Sequence, residues 1–135
     1  MPDKDFNIEK YLDYWITSSD DDFETMMTLF ENNRYSFALF VGHLSVEKLL
    51  KALYIKIHNA HPPFIHNLLR LAELNNLDLS DDKKLFFATV TAFNINTRYD
   101  DYKMSFKQKC TYEYTSFWIE KIKENREWIM KFLIQ

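Results

Sequence analysis

Residues Phe37 to His58 read FALFVGHLSVEKLLKALYIKIH, and this stretch decides the fold. Phe37, Phe40, Val41, Leu44, Leu49, Leu50 and Leu53 recur at steps of three and four, the period that lines one side of an α-helix with apolar groups. His43, Glu47, Lys51 and His58 form a second row. At about 100° per residue they fall within roughly 80° of one another, so one helix carries both a core stripe and a line of titratable groups. A core helix of this kind is the first place to look for chemistry. Gly42 sits inside it at about 1 kcal/mol less helix propensity than alanine, so it is either a point of close helix–helix approach or simply tolerated.

Outward from this helix, the signals remain helical. Met1 to Asn7 is polar with Pro2 and reads as a frayed start. Tyr11, Leu12, Trp15, Ile16, Phe23, Met26, Met27 and Phe30 predict one long helix to about Asn32. The SSDDD run at Ser18 to Asp22 is a kink or bulge within it, or else the cap of a second helix with Ser19 at its start. Asn32-Asn33 ends it, because asparagine tolerates the left-handed conformation. On the far side, NAHPP at Asn59 to Pro63 is the strongest breaker in the chain.

His66 to Asn75 then predicts a short helix with Leu68, Leu69, Leu71 and Ala72 inward. Ser80-Asp81-Asp82 caps a further helix carrying Leu85, Phe86, Ala88, Val90 and Phe93, whose pattern fades at Asn94 to Asn96. Thr97 to Ser105 lacks periodicity and predicts a connecting loop. From about Phe106 to Leu133 a last helix places Tyr114, Phe117, Trp118, Ile122, Ile129 and Phe132 near one side. Lys121, Lys123, Arg126 and Lys131 alternate with Glu120, Glu124 and Glu127 as its solvated face. Helices of this length with short connections predict an all-α, up-and-down bundle of four to five helices, a single domain over residues 1–135.

Composition agrees. One glycine and three prolines are too few to turn a many-stranded sheet, and 47% hydrophobic with 17% aromatic residues is ample material for a core. A net charge of −3 excludes a generally cationic nucleic-acid binder but leaves room for a local basic patch. One cysteine, Cys110, fits a reducing interior. With no signal peptide and no apolar run of 18 residues, the expectation is a soluble cytoplasmic protein.

Three groups of residues could carry chemistry. His43 and Glu47, four apart, could ligate a metal, but no third ligand has matching spacing; the plain alternative is a Glu47–Lys51 helix pair. Arg98-Tyr99-Asp100-Asp101 could present a planar fork to phosphate beside a ring that stacks on a base. The same aspartates could instead neutralise Arg98 in a loop-fixing salt bridge, or bind a divalent cation. His66 could cap its helix or act in catalysis. Cys110 near a helix start could be a reactive thiolate, though a buried small hydrophobe fits it better.

Taken together, HLSVEKLLKALYIKIHNAHPPFIHNLLRLAE (His43 to Glu73) and NINTRYDDYK (Asn94 to Lys103) resemble the HEPN domain family, from about Tyr14 to Leu133. The first matches its EK–x–x–K helix, proline loop and following histidine; the second matches its Thr-Arg-Tyr-(Pro)-Asp signature. The resemblance implies a helical bundle that commonly forms homodimers and associates with nucleotides or RNA. It also implies that prokaryotic members often act beside a small nucleotidyltransferase, as toxin and antitoxin, and that several are metal-independent endoribonucleases; no cofactor and no metal are expected here. By position, Glu47, Lys48 and Lys51 match the helix motif, His66 the proline-loop histidine, and Arg98, Tyr99 and Asp100 the signature. Arg98, Tyr99, Lys51 and Lys48 are then the expected phosphate- or nucleotide-binding residues, with Glu47 and Asp100 orienting Arg98.

Ribonuclease members carry a histidine four to six residues after the arginine, whereas Arg98 is followed by YDDYKMS. The general acid–base group is therefore missing from its usual place. A non-catalytic accessory is the leading expectation. An endoribonuclease using Arg98 with His66 is the first alternative, and a purely dimeric interaction domain the second.

Overall fold

The structure, a computed structural model, describes residues 6–135. Six helices follow one another there: α1 (Ile8–Glu31), α2 (Tyr35–His58), α3 (Leu68–Leu74), α4 (Asp81–Arg98), α5 (Ser105–Lys109) and α6 (Tyr112–Leu133). The frayed start expected for Met1 to Asn7 lies outside the described residues as far as Asp5, and Asn7 is already the cap of α1.

Four helices begin with the same device. The side chains of Asn7, Asn67, Ser80 and Thr111 accept the backbone N–H three residues on, from Lys10, Arg70, Lys83 and Tyr114 respectively. Each satisfies one of the donors that a helix start leaves without a partner. Asparagine serves the other ends: Asn33 and Asn59 adopt left-handed backbone at φ 63° and 51°, where the chain leaves α1 and α2.

The long helices alternate in direction. Trp15 covers Lys51, Ser19 faces Ser45 and Met26 lies against Gly42, so α1 and α2 run antiparallel. Phe93 packs on Trp118 while Lys83 lies over Trp128, which runs α4 against α6. The Thr97 hydroxyl donates to the Ser36 carbonyl (3.2 Å) and pins the end of α4 to the start of α2. The expected all-α, up-and-down bundle is what forms, from α1, α2, α4 and α6, with the short α3 and α5 added.

α2 lies at the centre, touching every other helix. Leu39, Val46, Leu49, Leu50 and Leu53 are buried with Met26, Phe87, Phe93 and Ile122. Burying one such side chain contributes on the order of 2 kcal/mol. A Cβ built on Gly42 would stand 2.7 Å from Ile122 Cδ1 and 2.8 Å from Met26 Sδ, so α1, α2 and α6 meet over this residue.

α1 is the one long helix expected, and the alternative with Ser19 as a cap falls: Ser19 is fully buried at mid-helix and donates to the Ser45 carbonyl at 2.6 Å, while the Ser45 hydroxyl donates back to the Ser19 carbonyl at 3.0 Å. Several other sequence expectations need correcting. The last helix is two, because Thr111 starts a new one and Cys110 sits at the end of α5 rather than at a helix start. α4 continues to Arg98, past the polar Asn94 and Asn96, since Phe93 and Thr97 still find partners across the bundle. Phe37, Leu85 and Phe117, expected inward, are more than half exposed. Arg126, expected on the solvated face, reaches Asp20 at 2.6 Å and the Ser19 hydroxyl at 3.2 Å. No helix among the described residues is long and apolar enough to cross a membrane.

Candidate functional site

The residues singled out from the sequence separate into two places. The first is the middle of α2. Glu47 and Lys51 are each only 5% exposed and pair at 3.1 Å, the spacing of four residues bringing carboxylate and ammonium together on one face. The other Glu47 oxygen accepts from Nδ1 of His66 at 2.8 Å. His43, one turn before Glu47, is fully buried and donates from Nε2 to the His66 backbone carbonyl at 2.9 Å. Glu47 therefore holds the side chain of His66 and His43 holds its backbone. The face of Trp15 covers Lys51, with its ammonium 5.7 Å from the ring centre.

His66 turns Nδ1 to Glu47, and its side chain remains 63% exposed. Burial pushes the His43 imidazole below its ordinary value, outweighing the His66 carbonyl and the Glu47 charge 3.8 Å away, which both act upward. Its Nδ1 has no hydrogen-bond partner among the described residues. Neutral His43 is the form that this packing favours. Lys48 points off this face towards α1, pairing with Asp22 at 2.7 Å and donating to the Ser18 hydroxyl at 2.8 Å.

The second place is the end of α4. Arg98 belongs to the last helical turn, not to a loop, and is exposed. Its Nε donates to the Asn94 carbonyl at 3.4 Å, and its guanidinium lies 5.1 Å from the centre of the Tyr99 ring. Tyr99 itself is 71% exposed. The neighbouring aspartates turn the other way. Asp100 accepts from the backbone N–H of Asp101, Phe106 and Lys107, and Asp101 from that of Ser105. They close the loop onto α5, which has no side-chain cap of its own. The Ser105 backbone bond is the main cause holding the Asp101 carboxyl below its usual value. No carboxylate among the described residues pairs with Arg98. Of the three alternatives left open for this segment, the salt bridge is thereby removed, and both aspartates have a structural task.

The two places do not merge. Ser36 lies against Thr97, and Glu47 is eleven residues further along α2, a rise of about 16 Å. Glu47 makes no ion pair with Arg98, so the expected orienting contact is replaced by the one with His66. Asp100 orients the α5 backbone rather than Arg98. Lys48 and Lys51 are likewise spent within the fold. His58, the last of the row, binds the Leu74 carbonyl at 2.8 Å and packs on Tyr54. Cys110 is buried, and burial pushes its thiol up to about 11, the state of an inert side chain. Among the described residues no group of three His, Cys, Asp or Glu side chains gathers as a metal site.

Sequence reading gave no role to Arg34, Tyr35 or Lys107 and placed Phe37 in the core. Arg34 caps α2 and Tyr35 and Phe37 flank Ser36, whose carbonyl accepts from Thr97, while the Lys107 backbone donates to Asp100. The only local hint was one arginine and two aromatics just after Asn32-Asn33, which no motif separates from ordinary surface.

Compared with known proteins, the chain matches the family model described as HEPN domain over residues 12–133. No curated protein and no solved structure matches it.

Proposed function

This chain belongs to the HEPN domain family, and from that premise we propose that it binds a nucleotide or an RNA phosphate through Arg98, without itself cutting RNA. The observation that carries this reading is the exposed guanidinium of Arg98, stacked on Tyr99 while the adjacent aspartates are occupied by the α5 backbone. A planar fork with five donors and no carboxylate to neutralise it suits the paired oxygens of a phosphate. Tyr99 offers its outer face to a base. Lys48 and Lys51 drop out of this binding set, because their charges are already paired.

The accessory role follows from the missing proton-transfer group. No histidine follows Arg98 in its loop, and His66 is tied to Glu47 some 16 Å along α2 by helix rise. In this reading the protein works as a homodimer beside a nucleotidyltransferase in a toxin–antitoxin type pair. One observation favours the nuclease alternative: the Glu47 carboxylate meets Nδ1 of His66, whose side chain is 63% exposed, the arrangement of a carboxylate–imidazole pair.

Calorimetric titration with nucleotides is the test. Arg98→Ala should abolish binding while the melting temperature stays within a degree or two, since an exposed side chain is removed. Unfolding of that variant would show the Arg98 cluster to be structural and sink the reading. RNA cleavage by the wild type that disappears in His66→Ala would establish the nuclease alternative instead.

A further inference from the structure

Arg98 is tied to the start of α2 through Thr97 and Ser36, while the other end of α2 opens on a cavity of about 720 Å³. The last two turns of α2 supply Leu53 and Lys56 to its walls, the turn after α3 supplies Asn75 and Asp78, and the end of α6 supplies Trp128 and Phe132. We infer that this cavity binds a small amphipathic amine, an ammonium group carried on a ring or a short apolar chain, with Asp78 as its counter-charge.

The helix ends give the first argument. α2 and α6 both finish here, and the C-terminus of a long helix carries roughly half a negative charge. Lys56 answers them, its ammonium donating to the carbonyls of Phe132, Leu133 and Gln135 at 2.9, 2.9 and 2.7 Å. Those bonds use all the donors that an ammonium has. Asp78, the one acidic side chain in the walls, is therefore not met by Lys56, the one basic side chain there. With the two helix ends set against Lys56, the Asp78 carboxylate is the charge left over.

Asn75 gives the second. Only 3% exposed, it belongs to the cavity wall, and its Nδ2 donates to the Leu50 carbonyl at 2.9 Å, which fixes the amide. Its Oδ1 is buried and has no hydrogen-bond partner. Buried acceptors are rarely left open in a folded chain. Asn75 Oδ1 and the Asp78 carboxylate both ask for a donor, and an ammonium supplies three. An anion finds no cation free to receive it.

The walls decide the body of the ligand. Trp128 and Phe132 meet edge to face with ring centres 5.3 Å apart, and Leu53 and Leu77 complete an apolar lining. Lys83 lies over the Trp128 ring at 4.3 Å, but it is bonded to Asn125 and is not part of the walls. Trp128 therefore offers apolar contact rather than a second cation site. The volume is within the range of small-ligand pockets, roughly 300–1,000 Å³.

The experiment is titration calorimetry on the full chain with three probes of similar body and different charge: phenethylamine, 2-phenylethanol and phenylacetate. Phenethylamine should bind saturably and at least tenfold more tightly than 2-phenylethanol, and phenylacetate should not bind at the same concentrations. Asp78→Asn, a change at an exposed side chain, should weaken phenethylamine roughly tenfold and leave 2-phenylethanol unchanged, while Asp78→Glu keeps the preference for the amine. Tryptophan emission should respond to phenethylamine in the wild type and not in Trp128→Phe. No saturable binding of phenethylamine, or equal affinity for the alcohol or the acid, overturns the inference. So does amine binding that survives Asp78→Asn at full strength, or an emission change that survives Trp128→Phe, since either places the amine elsewhere. If circular dichroism shows Asp78→Asn unfolded, the order of the three probes and the Trp128→Phe emission decide the matter without it.

Discussion

The middle of α2 and the end of α4 are built from the same kinds of residue and have opposite fates. At mid-helix, Glu47 and Lys51 are nearly inaccessible, and each charge has a partner within about a hydrogen bond's length. At the other place Arg98 is exposed, with a carbonyl and a ring for company. Both lie in segments whose sequence resembles the family's motifs, so a motif by itself does not separate a buried, paired charge from an exposed, unpaired one. Pairing and burial do.

The comparison breaks most readily at Glu47. Glu47→Ala leaves the Lys51 ammonium buried without compensation and should lower stability by about 3–5 kcal/mol in a urea melt. Replacing both together, Glu47→Leu with Lys51→Met, should recover most of that loss. A single substitution costing less than about 1 kcal/mol would mean that mid-α2 is not structural and that the contrast is mistaken. Asp100→Ala comes next. It removes the carboxylate that gathers three backbone N–H groups, and a loss of about 1–2 kcal/mol is expected from the lost cap. An unchanged melt would return Asp100 to the list of groups available to Arg98 or a ligand.

A smaller effect distinguishes the two regions by pH. His43 is held neutral by burial, so its folded-state value lies below the unfolded 6.5. Its contribution is complete above about pH 6.5. As pH falls below that, the unfolded chain takes up the proton first, and stability declines until the folded value is passed. The slope from this one group is at most about 1.4 kcal/mol per pH unit. His43→Gln, which keeps an amide donor for the His66 carbonyl, should flatten the acid limb of the melting-temperature profile. An identical acid limb would assign that limb to other groups. Arg98→Ala, by contrast, should hardly move stability at any pH while removing binding.

Much of the fold could be read from local pattern. The stripe of α2, the length of α1, the cap at Ser80 and the break at NAHPP are all encoded within a few residues of where they act. The Thr111 break and the Asp100 and Asp101 caps were within reach, since Thr and Asp before a helix are local signals, but the aromatic run into Tyr114 masked them. The pairing of Glu47 with His66 was not, because it joins positions 19 apart through a turn whose path no periodicity reports. The same holds for Arg126 on Asp20, 106 positions away, which a charge-alternation rule placed in solvent. Arg98 and Tyr99 were named from the sequence as binding residues; that their aspartate neighbours are occupied elsewhere is visible only in three dimensions.

Gly42 stands between these two regions, and its consequence is one of measurement. Because α1 and α6 close over the only residue in the chain that has no side chain, α2 has a single notch in which they fit. Sliding α2 by one position would drive Val41 or His43 into that notch. The bundle therefore has one setting along its length, and the glycine works as a ruler's zero mark: it keeps His66 at one graduation and Arg98 at another, so that neither can drift towards the other as the protein breathes.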